Sequence, residues 1–252
     1  INNKVISCDS IYYSRHLLDM NTYVVTSVDL DNPNDFTDAK SVAATGAQLY
    51  VGTDSIYLYS TLYDEIEKTE IMKIGYKKGQ LTIGGRAVIA GYLYDSFALS
   101  EYDEHLRIVA TIPANNFSWF DRGVWRNSAD GFDMTLNEDI NALYVLDKNM
   151  RLTGRITGIA PGERIYSARY FGDIGYFVTY ENTEPLFSVD LSDPTEPKII
   201  GKLKIPGFSR YLHFYGTDTL LGIGEERDPY TQSFEGIKLS MFDIQDPSNV
   251  TE

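Results

Sequence analysis

The chain has 252 residues and a net charge of −14, from 22 Lys and Arg against 36 Asp and Glu, and 43% of its residues are hydrophobic. This acidity, without a cluster of Lys or Arg, argues against nucleic acid as a partner because phosphates require concentrated positive charge. The single cysteine, Cys8, excludes an internal disulfide. No apolar run reaches the roughly 18 residues of a transmembrane helix, so we expect no membrane span in this chain.

Short apolar or alternating runs dominate the chain, and each is bounded by Gly, Pro, Asn or Asp. This pattern predicts strands with short connections and almost no helix. In chain order the predicted strands lie at 22–30, 48–53, 55–61, 105–112, 142–147, 166–171, 175–180, 186–191, 198–205, 219–224 and 238–244.

One six-residue pattern recurs, with an apolar residue, Asp, an apolar residue, a polar residue, Asp or Asn, and Pro. Its copies lie at 28–33, 189–194 and 242–247, and related segments lie at 145–149 and 70–79. A period of roughly 40–55 residues with about four strands is typical of a β-propeller. We therefore predict a single all-β domain over 1–252, with about five four-stranded antiparallel blades.

The approximate blade boundaries follow from this period. We place the five blades at 1–44, 45–90, 91–158, 159–206 and 207–252. The first blade shows clearly only its later strands, and the last stops where a fourth strand should begin. An incomplete ring with open edges is therefore expected.

Four segments resemble a known family. They are GYLYDSFALSEYDEHLRIVATI (91–112), the block 161–213, the two parts LLGIGEERD and GIKLSMFDIQDPSNV of 220–250, and SCDSIYYS (7–14), which contains Cys8. They are similar to a bacterial and archaeal family of secreted proteins with a C-terminal β-propeller domain distantly related to WD40 repeats. The resemblance implies export, with a signal or lipid anchor upstream, and no known catalytic residues. Family members have a further stretch before this one, which leaves blade number and ring closure open.

The acidic residues of the repeated pattern have two interpretations, a cation site or turn chemistry. The segment 29–40 lacks the central Gly of a calcium loop and ends in Lys40 instead of Glu. Asp or Asn followed by Pro is ordinary turn chemistry, because the side chain accepts backbone N–H groups and Pro presets φ. We therefore predict structural turns at Asp29, Pro33, Asp190, Asp193, Pro194, Asp243, Asp246 and Pro247.

The longest irregular segment, 113–141, is the first candidate for function. Long loops in compact folds are often functional, and aromatic residues with Arg suit sugar or protein binding. The alternative is that the tryptophans cover a blade edge and anchor the insertion. A second insertion at 225–237 either lines the same rim or forms a solvated hairpin tip. The candidate ligand-binding residues are Trp119, Phe120, Arg122, Trp125 and Arg126.

Catalytic and cofactor signals are weak. The three histidines lack metal-ligand spacing, so we expect no metal site and no cofactor. The Gly222-Ile223-Gly224 motif opens no helix, which argues against a nucleotide loop. The acidic cluster 101–104 offers a glycosidase pair, but with 36 acidic residues chance pairs are plentiful. The histidines are His16, His105 and His213.

The sequence thus favours an extracellular or cell-surface binding platform, not an enzyme, that takes an unidentified protein or glycan ligand. The alternative is a hydrolase or lyase acting on glycan or peptide at the axial mouth. A third interpretation is a structural module whose partner is the rest of its own chain. Convergent carboxylates or a partnered His at the axis would favour the enzyme, and aromatic and polar rim residues would favour the platform.

Overall fold

A computed structural model of the chain describes residues 6–14, 21–63, 67–114, 137–180, 184–205, 207–228, 230–231 and 233–252. Within these residues, eighteen strands form five sheets, and the only helices are the 3-10 turns Cys8–Ser10 and Ser96–Ala98. The all-β prediction is confirmed. No closed ring of sheets is seen in the described part of the chain.

The second, third and fourth sheets each have four antiparallel strands, which confirms the predicted blade. The strands follow one another across each sheet in chain order. Their bounds are β4 (Gln48–Val51), β5 (Ser55–Tyr63), β6 (Glu67–Lys77) and β7 (Gln80–Ala90); β8 (Leu99–Tyr102), β9 (His105–Ile112), β10 (Ile140–Leu146) and β11 (Leu152–Ile159); and β12 (Arg164–Phe171), β13 (Ile174–Tyr180), β14 (Glu184–Asp190) and β15 (Lys198–Ile205).

The first and fifth sheets have three strands. In the first sheet the order is β1-β3-β2, and β1 pairs in parallel with β3, unlike every other pair of strands described. In the fifth sheet a single antiparallel bridge joins Thr251 to Asp243, beyond the third strand. The strands are β1 (Ile11–Tyr13), β2 (Thr22–Asp29), β3 (Asn32–Ala43), β16 (Phe208–Tyr215), β17 (Thr219–Arg227) and β18 (Phe234–Asp243).

The sheets stack face to face, so the middle strands are covered on both sides. Every residue of β10 is buried, which explains its continuous apolar sequence INALYVL. One apolar cluster joins the second, third and fourth sheets, and Tyr57, Leu143 and Phe177 are among its members. A second cluster joins the fourth and fifth sheets, and a third joins the first and second.

A glycine in the fourth strand of each inner sheet makes room for the turn after the third strand of the next sheet. A Cβ atom built on Gly154 in β11 would lie 2.4 Å from the carbonyl oxygen of Pro194. The corresponding distances are 2.3 Å from Gly85 to the Asn149 carbonyl and 2.8 Å from Gly201 to the Pro247 carbonyl. A side chain at any of these positions would force a neighbouring atom to shift, so these glycines allow successive sheets to approach this closely.

Candidate functional site

The topology separates the repeated turns from the insertions. In the second to fifth sheets neighbouring strands are consecutive and antiparallel, so the turns after the first and third strands lie at one end of the sheet, which we call the turn end. The connection after the second strand lies at the opposite end, which we call the insertion end. The copies of the repeated acidic pattern at 189–194 and 242–247 lie at the turn end, and the copy at 28–33 joins β2 to β3 in the first sheet. The described residues of segments 113–141 and 225–237 lie at the insertion end.

The repeated carboxylates accept backbone N–H groups within their own turns. Asp190 Oδ1 accepts from the Ser192 N–H at 2.9 Å, and Asp243 Oδ1 accepts from the Gln245 N–H at 3.0 Å. Asp29 Oδ1 accepts from the Asp31 N–H at 3.0 Å. These carboxylates point into local turns, which is the geometry of an Asx turn.

The second acidic residue of the pattern forms a similar turn. Asp193 Oδ1 accepts from the Thr195 N–H at 2.8 Å and its hydroxyl at 2.6 Å, and Asp246 Oδ1 accepts from the Ser248 N–H at 2.9 Å and its hydroxyl at 2.6 Å. Side-chain hydrogen bonds from Thr195 and Ser248 hold the pKa of Asp193 and Asp246 below the usual value. The hydrogen bonds from Ser192 do the same for the pKa of Asp190.

The prolines of the pattern do not all occupy the same place. Pro194 and Pro247 follow the third strand in a connecting loop, whereas Pro33 is the second residue of β3. The pairing of β2 with β3 passes from Asn32 directly to Phe36, so Pro33 lies in a bulge. A bulge accommodates proline because proline has no N–H to donate to the ladder.

The acidic cluster 101–104 has two parts. Glu101 contacts the neighbouring sheet, and Asp103 and Glu104 form a hairpin turn. The Glu101 carboxylate, whose side chain is 7% exposed, accepts the Tyr57 hydroxyl at 2.7 Å and the Asp54 N–H at 3.0 Å, and it lies 3.8 Å from Lys73 Nζ. It therefore joins β8 of the third sheet to the second sheet. Burial, followed by the hydrogen bond to Glu101, raises the pKa of Tyr57.

The other members of this cluster form the turn between β8 and β9. Asp103 and Glu104 both have positive φ, at 45° and 60°, as a tight two-residue hairpin requires. Glu104 is exposed and pairs with Lys148 at 3.0 Å. Glu101 faces a neighbouring sheet while Glu104 faces solvent, so the two are not arranged as a pair around one substrate position.

The five candidate ligand-binding residues of the first insertion lie outside the described residues. They are Trp119, Phe120, Arg122, Trp125 and Arg126. The described base of the insertion is held by Asp139, whose carboxylate accepts the Ala114 N–H at 2.8 Å and forms an ion pair with Arg164. The Asp139 carbonyl accepts the Gly162 N–H at 2.7 Å. Both ends of the segment are therefore fixed to the third sheet and to the start of the fourth.

The second insertion is mostly strand. β17 continues to Arg227 and β18 begins at Phe234, so only the tip 228–233 connects them. The Asp228 carboxylate organises this tip by accepting the N–H groups of Tyr230 at 2.9 Å and Thr231 at 2.6 Å. Tyr230 at the tip is 93% exposed.

A cluster that is not evident from the sequence lies at the inner edge of the sheets, where β12 contacts both the 3-10 turn Ser96–Ala98 and β16. We call Phe97, Arg169, Tyr211 and His213 the inner-edge cluster. The Arg169 guanidinium carbon lies 3.4 Å from the centre of the Phe97 ring and 4.6 Å from that of Tyr211. The two rings are 6.1 Å apart at an interplanar angle of 78°. The cluster therefore brings three separate chain segments to one place.

The aromatic members of the inner-edge cluster remain accessible. Phe97 is 46% exposed and Tyr211 is 38% exposed. The Tyr211 hydroxyl lies 3.3 Å from His213 Nδ1, and their rings stack at 12°. Exposed aromatic faces beside polar groups can take a ligand that has both apolar and polar surface.

The Arg169 guanidinium packs against aromatic rings and forms few hydrogen bonds. Arg169 Nη1 donates to the Ala168 carbonyl at 2.7 Å, and Nη2 is buried without a hydrogen-bond partner in the described structure. Burial lowers the pKa of Arg169, and the neighbouring Tyr211 hydroxyl acts in the opposite direction. The cation is held in place by the two ring faces, which are attracted to positive charge.

A second aromatic row shares strand β12 with this cluster. The Tyr94 and Tyr166 rings are 5.7 Å apart, and the Tyr166 and Tyr180 rings are 6.1 Å apart. Tyr94 is 45% exposed and belongs to the same connection as Phe97. The one sequence signal for these sites is arginine next to tyrosine in predicted first strands, in ARYF (168–171) and SRYLHFY (209–215).

Within the described residues, no group of three or more His, Cys, Asp or Glu is placed to hold a metal ion. The same residues contain no helix that is long and apolar enough to cross a membrane.

Solved structures show only distant likeness. Cobalt-substituted ACO of Synechocystis is 12% identical, with a TM-score of 0.47 over 90% of this chain and 53% of that chain. BamB from Moraxella catarrhalis is 9% identical, with a TM-score of 0.36 over 91% of this chain and 81% of that chain. Likeness of this size says nothing about ligand or activity.

Two archaeal relatives are much closer in sequence. An uncharacterized protein of Methanocaldococcus jannaschii is 36% identical over 190 residues, which are 75% of this chain and 26% of the relative. One of Archaeoglobus fulgidus is 39% identical over 188 residues, 75% of this chain and 25% of the relative. The chain thus spans about a quarter of the length of these relatives. The family model described as "Beta propeller domain" matches residues 1–252, and with the stacked sheets this places the chain in the beta propeller domain family.

Proposed function

We propose that this domain is a non-catalytic binding platform that takes a glycan or protein ligand at the inner-edge cluster. The observation that carries the proposal is the exposed pair Phe97 and Tyr211, whose rings both contact the Arg169 guanidinium. Arg and Tyr are enriched among the residues that dominate binding energy, and aromatic faces also stack on sugar rings. The ring-held cation is already ordered, so binding loses little side-chain entropy.

The location we propose is extracellular or at the cell surface. The resemblance to secreted proteins supports it, and the net charge of −14 suits a soluble exported domain. Fractionation of the source cells tests it, and recovery of the intact protein in the cytoplasm alone would contradict it.

A glycan array followed by titration of the best ligand tests the binding proposal. We expect Phe97→Ala and Tyr211→Ala each to weaken binding by about tenfold or more, which corresponds to about 1.4 kcal/mol. Tyr215→Ala is the matched control, because Tyr215 is 70% exposed in the same strand but lies at the turn end. Unchanged affinity in both cluster variants would contradict the assignment of the site.

A second candidate is a lyase that acts on an acidic glycan at the same place. The observation that favours it is the Tyr211 hydroxyl 3.3 Å from His213 Nδ1, with the Arg169 cation beside the Tyr211 ring. One of the two groups can act as the base that removes the proton next to a uronate carboxylate, while the glycosidic C–O bond breaks, a C=C bond forms and the leaving oxygen takes a proton from the other group. Unsaturated product from polygalacturonate or alginate, lost in His213→Ala, would favour this candidate over the platform.

A further inference from the structure

The turn after the third strand of the fifth sheet carries a sequence motif that the ligand site does not use. Asn249-Val250-Thr251 has the form Asn-X-Ser/Thr with X other than Pro, which is the acceptor motif for asparagine-linked glycans. A second match, Asn116-Phe117-Ser118, lies outside the described residues. A motif of this length also occurs by chance, so its surroundings in the fold decide whether Asn249 can carry a glycan.

The two side chains that define the motif face solvent, and the residue between them faces the core. Asn249 and Thr251 are exposed, whereas Val250 is 9% exposed and belongs to the apolar cluster between the fourth and fifth sheets. The Asn249 N–H donates to the Asp246 carbonyl at 3.0 Å, and Thr251 is bridged to Asp243, so the backbone on both sides is held. A glycan on Asn249 therefore projects from the surface without disturbing Val250.

The Asn249 amide is not needed to shape its turn. The Asp246 carboxylate shapes it by accepting the Ser248 N–H at 2.9 Å and the Ser248 hydroxyl at 2.6 Å. The Asn249 side chain forms no hydrogen bond within the described residues, so a sugar bonded to its nitrogen breaks no contact of the fold. The turn itself is fixed to the fourth sheet, because the Pro247 carbonyl accepts the Ser188 hydroxyl.

The corresponding position in the fourth sheet is exposed although another sheet packs after it. Counted from the Asp of each repeated turn, Glu196 corresponds to Asn249 and Lys198 to Thr251. The side chains of Glu196 and Lys198 are 69% and 58% exposed, while the fifth sheet packs against the fourth through a shared apolar cluster. Exposure at this position is therefore a property of the turn and does not depend on whether a further sheet follows.

We propose that Asn249 is a site of asparagine-linked glycosylation and receives an oligosaccharide from a lipid-linked donor during export. The inference rests on the extracellular location proposed above, because this motif is modified in secreted proteins. The transfer forms a bond between Asn249 Nδ2 and the anomeric carbon of the first sugar and breaks the bond from that carbon to the phosphate oxygen of the lipid. The phosphate keeps the bonding electrons and the nitrogen gives up one proton to solvent, so nothing is oxidised or reduced.

The test is tandem mass spectrometry of the full-length protein purified from its source cells. We expect the tryptic peptide that begins at Leu239 to carry a glycan on Asn249 in most molecules. Thr251→Val removes the hydroxyl of the motif at nearly constant shape and should abolish the glycan, whereas Thr251→Ser keeps the motif and should retain it. Asn149→Gln, at an exposed asparagine in the turn of the third sheet that lacks the motif, is the control and should leave the glycan unchanged.

The outcomes separate this proposal from the proposed location. An unmodified Asn249 in protein recovered outside the cytoplasm overturns the glycosylation site and leaves the location intact. A glycan that persists in Thr251→Val also overturns it, because the sugar would then be attached without the motif, for example to the Ser248 hydroxyl. Recovery of the protein in the cytoplasm alone contradicts the location and the glycosylation site together. Circular dichroism and thermal melts establish that all variants are folded.

Discussion

Gly154 in the third sheet lies directly against the Pro194 carbonyl in the fourth, so that an added Cβ would be 2.4 Å from that oxygen. The relationship connects a glycine of a fourth strand with one of the repeated Asp-Pro turns. The Asp side chains of the turn accept its own backbone N–H groups, and the turn packs against the glycine of the preceding sheet. The repeat therefore determines the spacing between sheets as well as the end of each third strand.

We expect Gly154→Ala to destabilise the domain by about 1–3 kcal/mol, because the methyl group must displace a backbone carbonyl. Thermal melting should show a fall of about 2–4 °C for each kcal/mol in a domain of this size. Gly236→Ala is the control, since Gly236 lies in β18 with no atom within 4 Å of an added Cβ. Equal melting temperatures for the two variants would show that the turn can move away from the added methyl group without a loss of stability.

The contact of Glu101 with the neighbouring sheet predicts that Glu101 and Glu104, in the same acidic cluster, contribute differently to stability. Glu101→Gln keeps the shape of the side chain but turns an N–H group toward the Tyr57 hydroxyl or the Asp54 N–H, which leaves a donor unsatisfied. We expect a loss of about 1–3 kcal/mol in the free energy of unfolding. Chemical denaturation measures it.

Glu104→Gln is the control for Glu101→Gln. Glu104 is an exposed partner of Lys148, and such surface pairs contribute about 0–1 kcal/mol. A larger loss in Glu104→Gln than in Glu101→Gln would contradict the assignment of Glu101 as the contact between sheets.

The tryptophans of the long insertion carry a prediction from sequence alone. If they bind ligand, Trp119→Ala and Trp125→Ala should abolish binding and leave the melting temperature nearly unchanged. If they anchor the insertion, the melting temperature should fall by many degrees. Parallel melts and ligand titrations on each single variant separate the two roles.

The repeated pattern predicted the all-β class and the four-stranded blade because it combines strand alternation with turn chemistry, and both are local properties. The sequence could not indicate the parallel pairing of β1 with β3, because that pairing joins residues about 30 positions apart without a turn between them. The inner-edge cluster was missed for a similar reason. Phe97, Arg169 and Tyr211 are far apart in the chain and meet only because β12 contacts both the 3-10 turn that carries Phe97 and the strand β16 that carries Tyr211.

The carboxylates of the turns predict how stability depends on pH. Hydrogen bonds lower the pKa of Asp190, Asp193 and Asp246 in the folded state below the value near 3.9 expected in the unfolded chain. Their contribution is therefore fully present above about pH 5 and is lost as the pH falls through the lowered values, where the unfolded chain binds more protons. The triple variant Asp190→Asn, Asp193→Asn and Asp246→Asn keeps acceptor oxygens in the turns but cannot titrate. We expect its free energy of unfolding to fall less steeply in acid than that of the wild type, as measured by urea denaturation at a series of pH values. Parallel curves for the two proteins below pH 5 would show that these carboxylates do not set the acid limit of the fold.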